Sequence, residues 1–236
     1  MLSKRTSRRA AIAYPTEALE SRQMLTGNVF VTTSGNNLRI TGDGAANSIA
    51  VVQRNGNVVV EPTQGAGTNV RGGITGIAIN QLNDVSIRMR GGDDNVRFES
   101  LTVNGNLSLN TAGGNDFTNF VGSSRVSGDT SIRTGGGRDF LYTESFDFRG
   151  RLNLATGGGD DFVLLGSQFS NLSFQDRVNV SMGGGSDSLA LDSFTTVSFA
   201  GTGHRINGGG GFDNLFPLTS QFRTLYPNVS VRNFEM

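Results

Sequence analysis

Six aspartates recur along this chain in the same local setting, and this repeat constrains the fold more than any other feature. Each lies two residues after a Gly-Gly pair, and successive members are 22, 23, 22, 26 and 26 residues apart. A period of this length holds about one coil of a solenoid rather than a domain. The six residues are Asp94, Asp116, Asp139, Asp161, Asp187 and Asp213.

Apolar residues keep fixed offsets from these aspartates. They occupy the positions nine and seven residues before each aspartate and two and four residues after it, with few exceptions. Alternation with polar residues is the period of a strand that buries one face. A third pair, such as Phe146 and Phe148, lies fifteen and thirteen residues before the next aspartate. The sequence therefore predicts an all-β fold, a three-sided parallel β-helix (solenoid) with about 22–26 residues per coil. In this register Leu109, Ile132, Leu154 and Val180 form one interior stack.

Glycines mark two regular corners of each coil. One corner is the Gly-Gly run before the aspartate, and the other is a glycine eleven residues before the next aspartate, at positions 105, 128 and 150. At the second of these corners we expect a positive φ, which glycine adopts without strain. The two longer coils take their extra residues between Leu165 and Leu172 and around 195–203.

Three segments are predicted along the chain: a basic targeting or disordered segment over 1–26, a β-hairpin cap with a degenerate first coil over 27–71, and the parallel β-helix over 72–236. Asn47 stands in frame with the aspartates, and Thr75 stands in a second degenerate frame after Gly72. Between them, the run from Arg54 to Asn57 predicts a hairpin turn. A hairpin cap would protect the open sheet edge.

Composition excludes several classes of protein. The 34 glycines suit a turn-rich β chain, the lack of cysteine excludes disulfides, and no apolar run approaches the roughly 20 residues that span a bilayer. Net charge is zero, but residues 91–213 carry fourteen acids and eight arginines. This acidic balance argues against a nucleic-acid partner, and we expect arginines such as Arg88, Arg90, Arg97, Arg149 and Arg151 to pair with carboxylates on the outer faces.

The N-terminal segment carries two short resemblances to export signals. Ser7-Arg8-Arg9 resembles the start of a twin-arginine signal, although no apolar stretch of sufficient length follows it. The run Leu19-Glu20-Ser21-Arg22, followed by Met24 and Leu25, resembles a pattern near the start of many bacterial surface and secreted repeat proteins. That resemblance implies an exported bacterial protein that is extracellular or on the cell surface. The alternative is a disordered tail with one amphipathic helix over 16–24.

The glycine-aspartate corners resemble the repeats of calcium-binding RTX proteins. The resemblance lies in segments such as 91–96 (GGDDNV), 113–116 (GGND) and 158–163 (GGDDFV), although the period here is 22–26 rather than nine. It implies Ca²⁺ as a cofactor, with the strongest corners at the acid doublets. The candidate metal ligands are Asp93, Asp94, Asp116, Asp139, Asp160, Asp161, Asp187 and Asp213.

Physical chemistry leaves two explanations for the row of carboxylates. Stacked coils would place successive aspartates roughly 4.8 Å apart, where like charges repel. Calcium could offset that repulsion, because it prefers oxygen ligands. Alternatively, each carboxylate could accept backbone N–H groups of its own glycine corner.

We find no catalytic constellation and assign no catalytic or cofactor-binding residue. His204 is the only histidine, and it occupies an otherwise apolar strand position, so we expect a structural role. The predicted function is a non-catalytic secreted or cell-surface solenoid scaffold, stabilised by calcium if the corners bind it, whose partners would be other surface proteins or polysaccharide. The alternative is a carbohydrate-active β-helix, a polysaccharide lyase or hydrolase, or a fragment of one.

Overall fold

The computed structural model describes residues 27–64, 67–166, 171–191, 196–217 and 219–235. These residues form 22 strands and one short helix. The elements are β1 (Asn28–Ser34), β2 (Asn37–Thr41), β3 (Ser48–Arg54), β4 (Asn57–Pro62), β5 (Asn69–Arg71), β6 (Ile74–Ala78), β7 (Val85–Arg88), β8 (Asn95–Glu99), β9 (Thr102–Val103), β10 (Leu107–Asn110), β11 (Phe117–Val126), β12 (Thr130–Gly136), β13 (Phe140–Phe148), β14 (Leu152–Gly158), β15 (Phe162–Leu165), β16 (Asn171–Phe174), β17 (Val178–Gly184), β18 (Ser188–Leu191), β19 (Thr196–Phe199), β20 (His204–Gly210), β21 (Asn214–Phe216), α1 (Thr219–Leu225) and β22 (Val229–Arg232).

Successive coils stack in parallel, which confirms the predicted three-sided β-helix. Sheet A has ten strands in the order β22-β20-β17-β14-β12-β10-β7-β2-β1-β5. Sheet B has twelve, and its main path runs β21-β18-β15-β13-β11-β8-β3-β4-β6. The third side of the solenoid consists of β9, β16, β19 and the C-terminal parts of β11 and β13, which pair with one another.

The interior register is the predicted one. Leu109 is paired with Ile132, Ile132 with Leu154, and Leu154 with Val180. All four side chains are buried, as are most apolar residues at the equivalent positions of the other two sides. Val197 and Phe199 on β19 are partly buried. Aromatic rings also stack from coil to coil, because each strand repeats the inward position of its neighbour; the rings of Phe148 and Phe174 are 5.3 Å apart. Each coil thus buries its apolar face against the next.

The two glycine corners have different physical causes. At the Gly-Gly corner the backbone does adopt a positive φ: Gly157 has φ 111°, and a Cβ there would lie 1.8 Å from the carbonyl oxygen of Gly135 in the preceding coil. At Gly105, Gly128 and Gly150 the prediction is wrong, since none of them has a positive φ. Glycine is needed there for close stacking, because a Cβ on Gly150 would lie 2.3 Å from the carbonyl oxygen of Gly128.

The N-terminal part of the described chain combines one coil with antiparallel hairpins. β2 pairs with β7 and β3 with β8, both in parallel. Regular stacking therefore already includes the frame of Asn47, ahead of residue 72, the predicted start of the β-helix. The predicted turn between Arg54 and Asn57 joins the antiparallel strands β3 and β4. The frame around Thr75 was interpreted wrongly, because β6 pairs antiparallel with β4 and builds no coil. Residues 1–26 lie outside the described residues.

The C-terminal end closes with elements that the repeat does not predict. Helix α1 places Phe222 in a fully buried position, and β22 continues sheet A in parallel with β20. In the parts of the chain that the structure describes, no helix has the length and hydrophobicity needed to span a membrane. The two insertions predicted for the longer coils lie partly outside the described residues, at 167–170 and 192–195.

Candidate functional site

The six repeated aspartates point into the solenoid. Their exposed fractions are 0–2%. Each directly follows a glycine corner and lies two residues before an inward position of the next strand, so the alternation of side chains directs it to the same interior. We call this row the aspartate ladder: Asp94, Asp116, Asp139, Asp161, Asp187 and Asp213.

Hydrogen bonds between coils hold the aspartate ladder. The backbone N–H of each aspartate donates to Oδ1 of the aspartate one coil later, over 2.8–3.0 Å. Asn47 begins the row by donating its N–H to Asp94, and Glu235 ends it by accepting from the N–H of Asp213. The carboxylates therefore do accept backbone N–H groups, but from the neighbouring coil rather than from their own glycine corner.

The second carboxylate oxygen is left without a partner in most coils. Among the described residues, Oδ2 of Asp94, Asp116, Asp139, Asp161 and Asp187 is buried and accepts no hydrogen bond. Burial is the largest influence on these groups, and it raises the pKa of Asp94 to about 7 against the opposing hydrogen bonds from Asn47. Burial likewise raises the pKa of Asp161 to about 6. Proton uptake is thus one way in which the ladder relieves its buried charge.

Three threonines form a second interior row that the sequence analysis missed. Thr111 donates its hydroxyl to the carbonyl of Thr134, Thr134 to Thr156, and Thr156 to Met182. Each lies five residues before a ladder aspartate, close enough that the Thr111 hydroxyl opposes the effect of burial on the pKa of Asp116. Their fixed offset from the repeat was the signal that could have revealed them.

The acid doublets do not form joint sites. Asp94 and Asp161 are buried, whereas Asp93 and Asp160 are exposed on the other side of the backbone. Asp93 accepts the backbone N–H of Asn115 over 2.7 Å, and Asp160 accepts that of Ser186 over the same distance. Nowhere in the described ranges do three or more acidic or histidine side chains surround a common point that suits a metal ion. Calcium ligation by these residues therefore stays a prediction.

A second missed row runs along the outer corner before sheet A. The backbone N–H of Asp84, Asn106 and Asp129 donates to the side-chain Oδ1 of the residue one coil earlier, over 2.8–3.1 Å. The direction is opposite to that in the aspartate ladder. Asparagine and aspartate alternate here, so no two acids are neighbours and the row carries little repulsion.

His204 lies in the interior, as its strand position predicts. Its exposed fraction is 1%, and Nδ1 accepts the backbone N–H of Val178 over 3.2 Å. Its ring also meets Phe199 edge-on at 5.3 Å. A histidine held in this way braces two coils and is not accessible to a substrate.

Comparison with protein-family models, with curated proteins and with solved structures finds no match. The function of the chain is therefore inferred from its own residues and their geometry.

Proposed function

We propose that this chain is a non-catalytic β-solenoid scaffold that acts outside the cell or on its surface. The observation that carries the proposal is the use of the repeated aspartates: all six are buried and serve as cross-coil hydrogen-bond acceptors or donors. Residues that recur identically in every coil support a regular structure, whereas catalysis needs a singular arrangement of groups at one place. The resemblance of Leu19-Glu20-Ser21-Arg22 to the N-terminal pattern of exported proteins supports the location.

The chemical groups of the described chain give less support to the carbohydrate-active alternative. Glycoside hydrolysis uses two carboxyl groups on either side of an accessible bond. Here the ladder carboxylates have exposed fractions of 2% or less, and the partner in each doublet lies on the opposite side of the backbone. Three depressions on the surface of the described residues are lined mainly by serine, asparagine and arginine.

Calcium remains a separate proposal about the same row. The unpartnered Oδ2 atoms favour it, because a hard cation takes such oxygen ligands. The occupied Oδ1 atoms and the deep burial favour a structural ladder without metal. The two proposals predict opposite changes in the melting temperature when the charge of one ladder carboxylate is removed.

The experiment that tests the scaffold function is an assay of the purified full chain on neutral and acidic polysaccharides, together with surface proteolysis of the cells that naturally produce it. We expect no release of reducing or unsaturated ends, and cleavage of the chain by protease on intact cells. Turnover that disappears in an Asp160→Asn/Asp161→Asn double variant would favour the enzyme, and protection of the chain until lysis would contradict the location.

A further inference from the structure

The outer face of sheet A carries positive charge without negative charge. Its ten strands contain six arginines and no aspartate or glutamate. All six arginines are exposed, because they occupy outward positions in the alternation of their strands. They are Arg39, Arg71, Arg88, Arg133, Arg205 and Arg232.

These arginines differ from the arginines elsewhere on the solenoid. Away from the strands of sheet A, the guanidinium of Arg97 lies 3.1 Å from Glu99 and that of Arg125 lies 3.3 Å from Asp147. Within the described residues none of the six arginines of sheet A forms an ion pair. The expectation of a carboxylate partner is therefore wrong for Arg88 and Arg90. It is confirmed for Arg97, Arg149 and Arg151. A row of exposed cations without carboxylate partners is open to an anionic ligand.

Small polar side chains surround the arginines of the solenoid coils. The outward positions from Arg88 to Arg232 hold serine, asparagine, arginine, glycine and one alanine. Near the C-terminal end, Arg205 and Asn179 line two adjoining depressions of about 580 and about 210 Å³. Arg232 borders the larger one, and Arg151 and Arg177 border the smaller.

The surface of the solenoid is more basic than its sequence suggests. The described residues contain fifteen arginines and seventeen acids, but six of those acids form the buried aspartate ladder. The surface of the described residues therefore carries eleven acids and fifteen arginines. The acidic balance of residues 91–213, which argued against a nucleic-acid partner, therefore does not describe the charge that a partner would meet at the surface.

We propose that the outer face of sheet A binds a linear acidic polysaccharide that carries carboxylates. Guanidinium groups bind carboxylates through bidentate hydrogen bonds. Asparagine and serine supply hydrogen-bond donors and acceptors for sugar hydroxyls. Ten strands at roughly 4.8 Å spacing give a track about 43 Å long, which suits an extended polymer better than a small molecule. The proposal goes beyond the scaffold function and does not depend on calcium.

The same face is less suited to a nucleic acid. Among the described residues, the ring of Phe30 on β1 is the one aromatic side chain at an outward position of the face, and the guanidinium of Arg71 lies over it at 5.5 Å. From β7 to β22 the outward positions hold no aromatic side chain on which a base could stack. The arginines recur at one to three strand spacings, about 5–14 Å. They are therefore also sparser than the phosphates of duplex DNA, which supply one charge per roughly 1.7 Å. Charge density and hydrogen-bonding groups both favour the polysaccharide.

The test measures binding of the full chain to labelled polygalacturonate, with uncharged dextran and a DNA duplex of equal total charge as comparisons. We expect salt-sensitive binding of polygalacturonate, no binding of dextran, and weaker binding of DNA. Replacing Arg205→Ser and Arg232→Ser together should weaken polygalacturonate binding by roughly five-fold or more. Serine already occupies equivalent outward positions, at Ser131 and Ser181, so the variant keeps the fold.

The matched control is Arg97→Ser with Arg125→Ser, which removes the same charge from the strands of sheet B. Its polygalacturonate affinity should stay within about two-fold of the wild type. Equal losses in the two variants, DNA binding at least as tight as that of polygalacturonate, or no polygalacturonate binding would each overturn the proposal.

If Arg205→Ser/Arg232→Ser melts early, Arg88→Ser/Arg133→Ser decides instead. It removes two arginines of the same face at positions equivalent to Ser181. It should weaken polygalacturonate binding by a similar factor, and unchanged affinity would overturn the proposal.

Discussion

The backbone N–H of Asp139 donates to Oδ1 of Asp161, one coil later, over 2.9 Å. Asp161 in turn donates its own N–H to Asp187 over 2.8 Å. Each aspartate is thus both an acceptor for one neighbour and a donor to the other. A repeated sequence can build such a row without limit, because every coil supplies the same two groups.

The raised pKa values predict an unusual dependence of stability on pH. An unfolded aspartate titrates near pH 4. Because the pKa is about 7 for Asp94 and about 6 for Asp161, the folded chain holds more protons than the unfolded chain between about pH 4 and 7. The free energy of unfolding should therefore fall as the pH rises through this window, by roughly 2–4 kcal/mol for Asp94.

Urea unfolding at pH 4.5, 6 and 7.5 measures this dependence. The control is Asp94→Asn, which should flatten the profile. Asp43 has the opposite influence on stability, because its hydrogen bonds with Asn28 and Ala45 together outweigh burial and lower its pKa. The stability that it contributes is lost only below about pH 4, outside the range of the experiment. Stability that increases from pH 4.5 to 7.5 would contradict the prediction.

Leu154 tests the interior register. Its side chain is 2% exposed, between Ile132 and Val180 in the stack. Leu154→Asp should destabilise the chain by at least about 3 kcal/mol, because it buries a charge without a partner. The neighbouring Asn153 is exposed, so Asn153→Asp should change the melting temperature little. Melting curves of the two variants check the register, and similar curves would show that it is wrong.

Two neighbouring glycines test the corner. Gly157 has φ 111° and no room for a Cβ beside Gly135, whereas Gly158 has no positive φ and no atom within 4 Å of a Cβ. Gly157→Ala should cost roughly 2–4 kcal/mol from backbone strain and overlap with the preceding coil. Gly158→Ala should stay within about 0.5 kcal/mol of the wild type. Chemical denaturation measures both, and equal stabilities would contradict the corner geometry.

The repeat predicted most of the fold because neighbouring coils provide almost the same environment. Once the offsets from the aspartate were known, the inward positions on all three sides could be assigned. The frame around Thr75 misled because spacing alone does not distinguish a coil from an antiparallel strand; pairing with β4 decided its structure. The sequence also could not predict why position 105 requires glycine, because a Cβ there would overlap Oδ1 of Asp84 in the preceding coil.

The candidate site was predicted in position but not in environment. The sequence located the six aspartates, yet their burial and the direction of their hydrogen bonds depend on how the coils stack. The cationic face of sheet A could have been found by reading the outward positions of Arg133 and Arg205 with their equivalents in other coils. The net charge of the sequence did not reveal this face, because the six buried aspartates offset the excess of arginine at the surface.

The aspartate ladder is tested most sharply by the melting temperature of Asp161→Asn at pH 7.5, in millimolar Ca²⁺ and in chelator. Asparagine keeps the acceptor for Asp139 and removes the buried charge, and Asn47 already donates its side-chain amide to Asp94 at the start of the row. We predict that the variant melts at or above the wild-type temperature and that calcium changes neither. A calcium site would stabilise the wild type, by about 2.7 kcal/mol at a hundredfold excess over Kd. A wild-type melting temperature that rises with calcium, together with a variant that melts lower and has lost this response, would contradict the structural ladder.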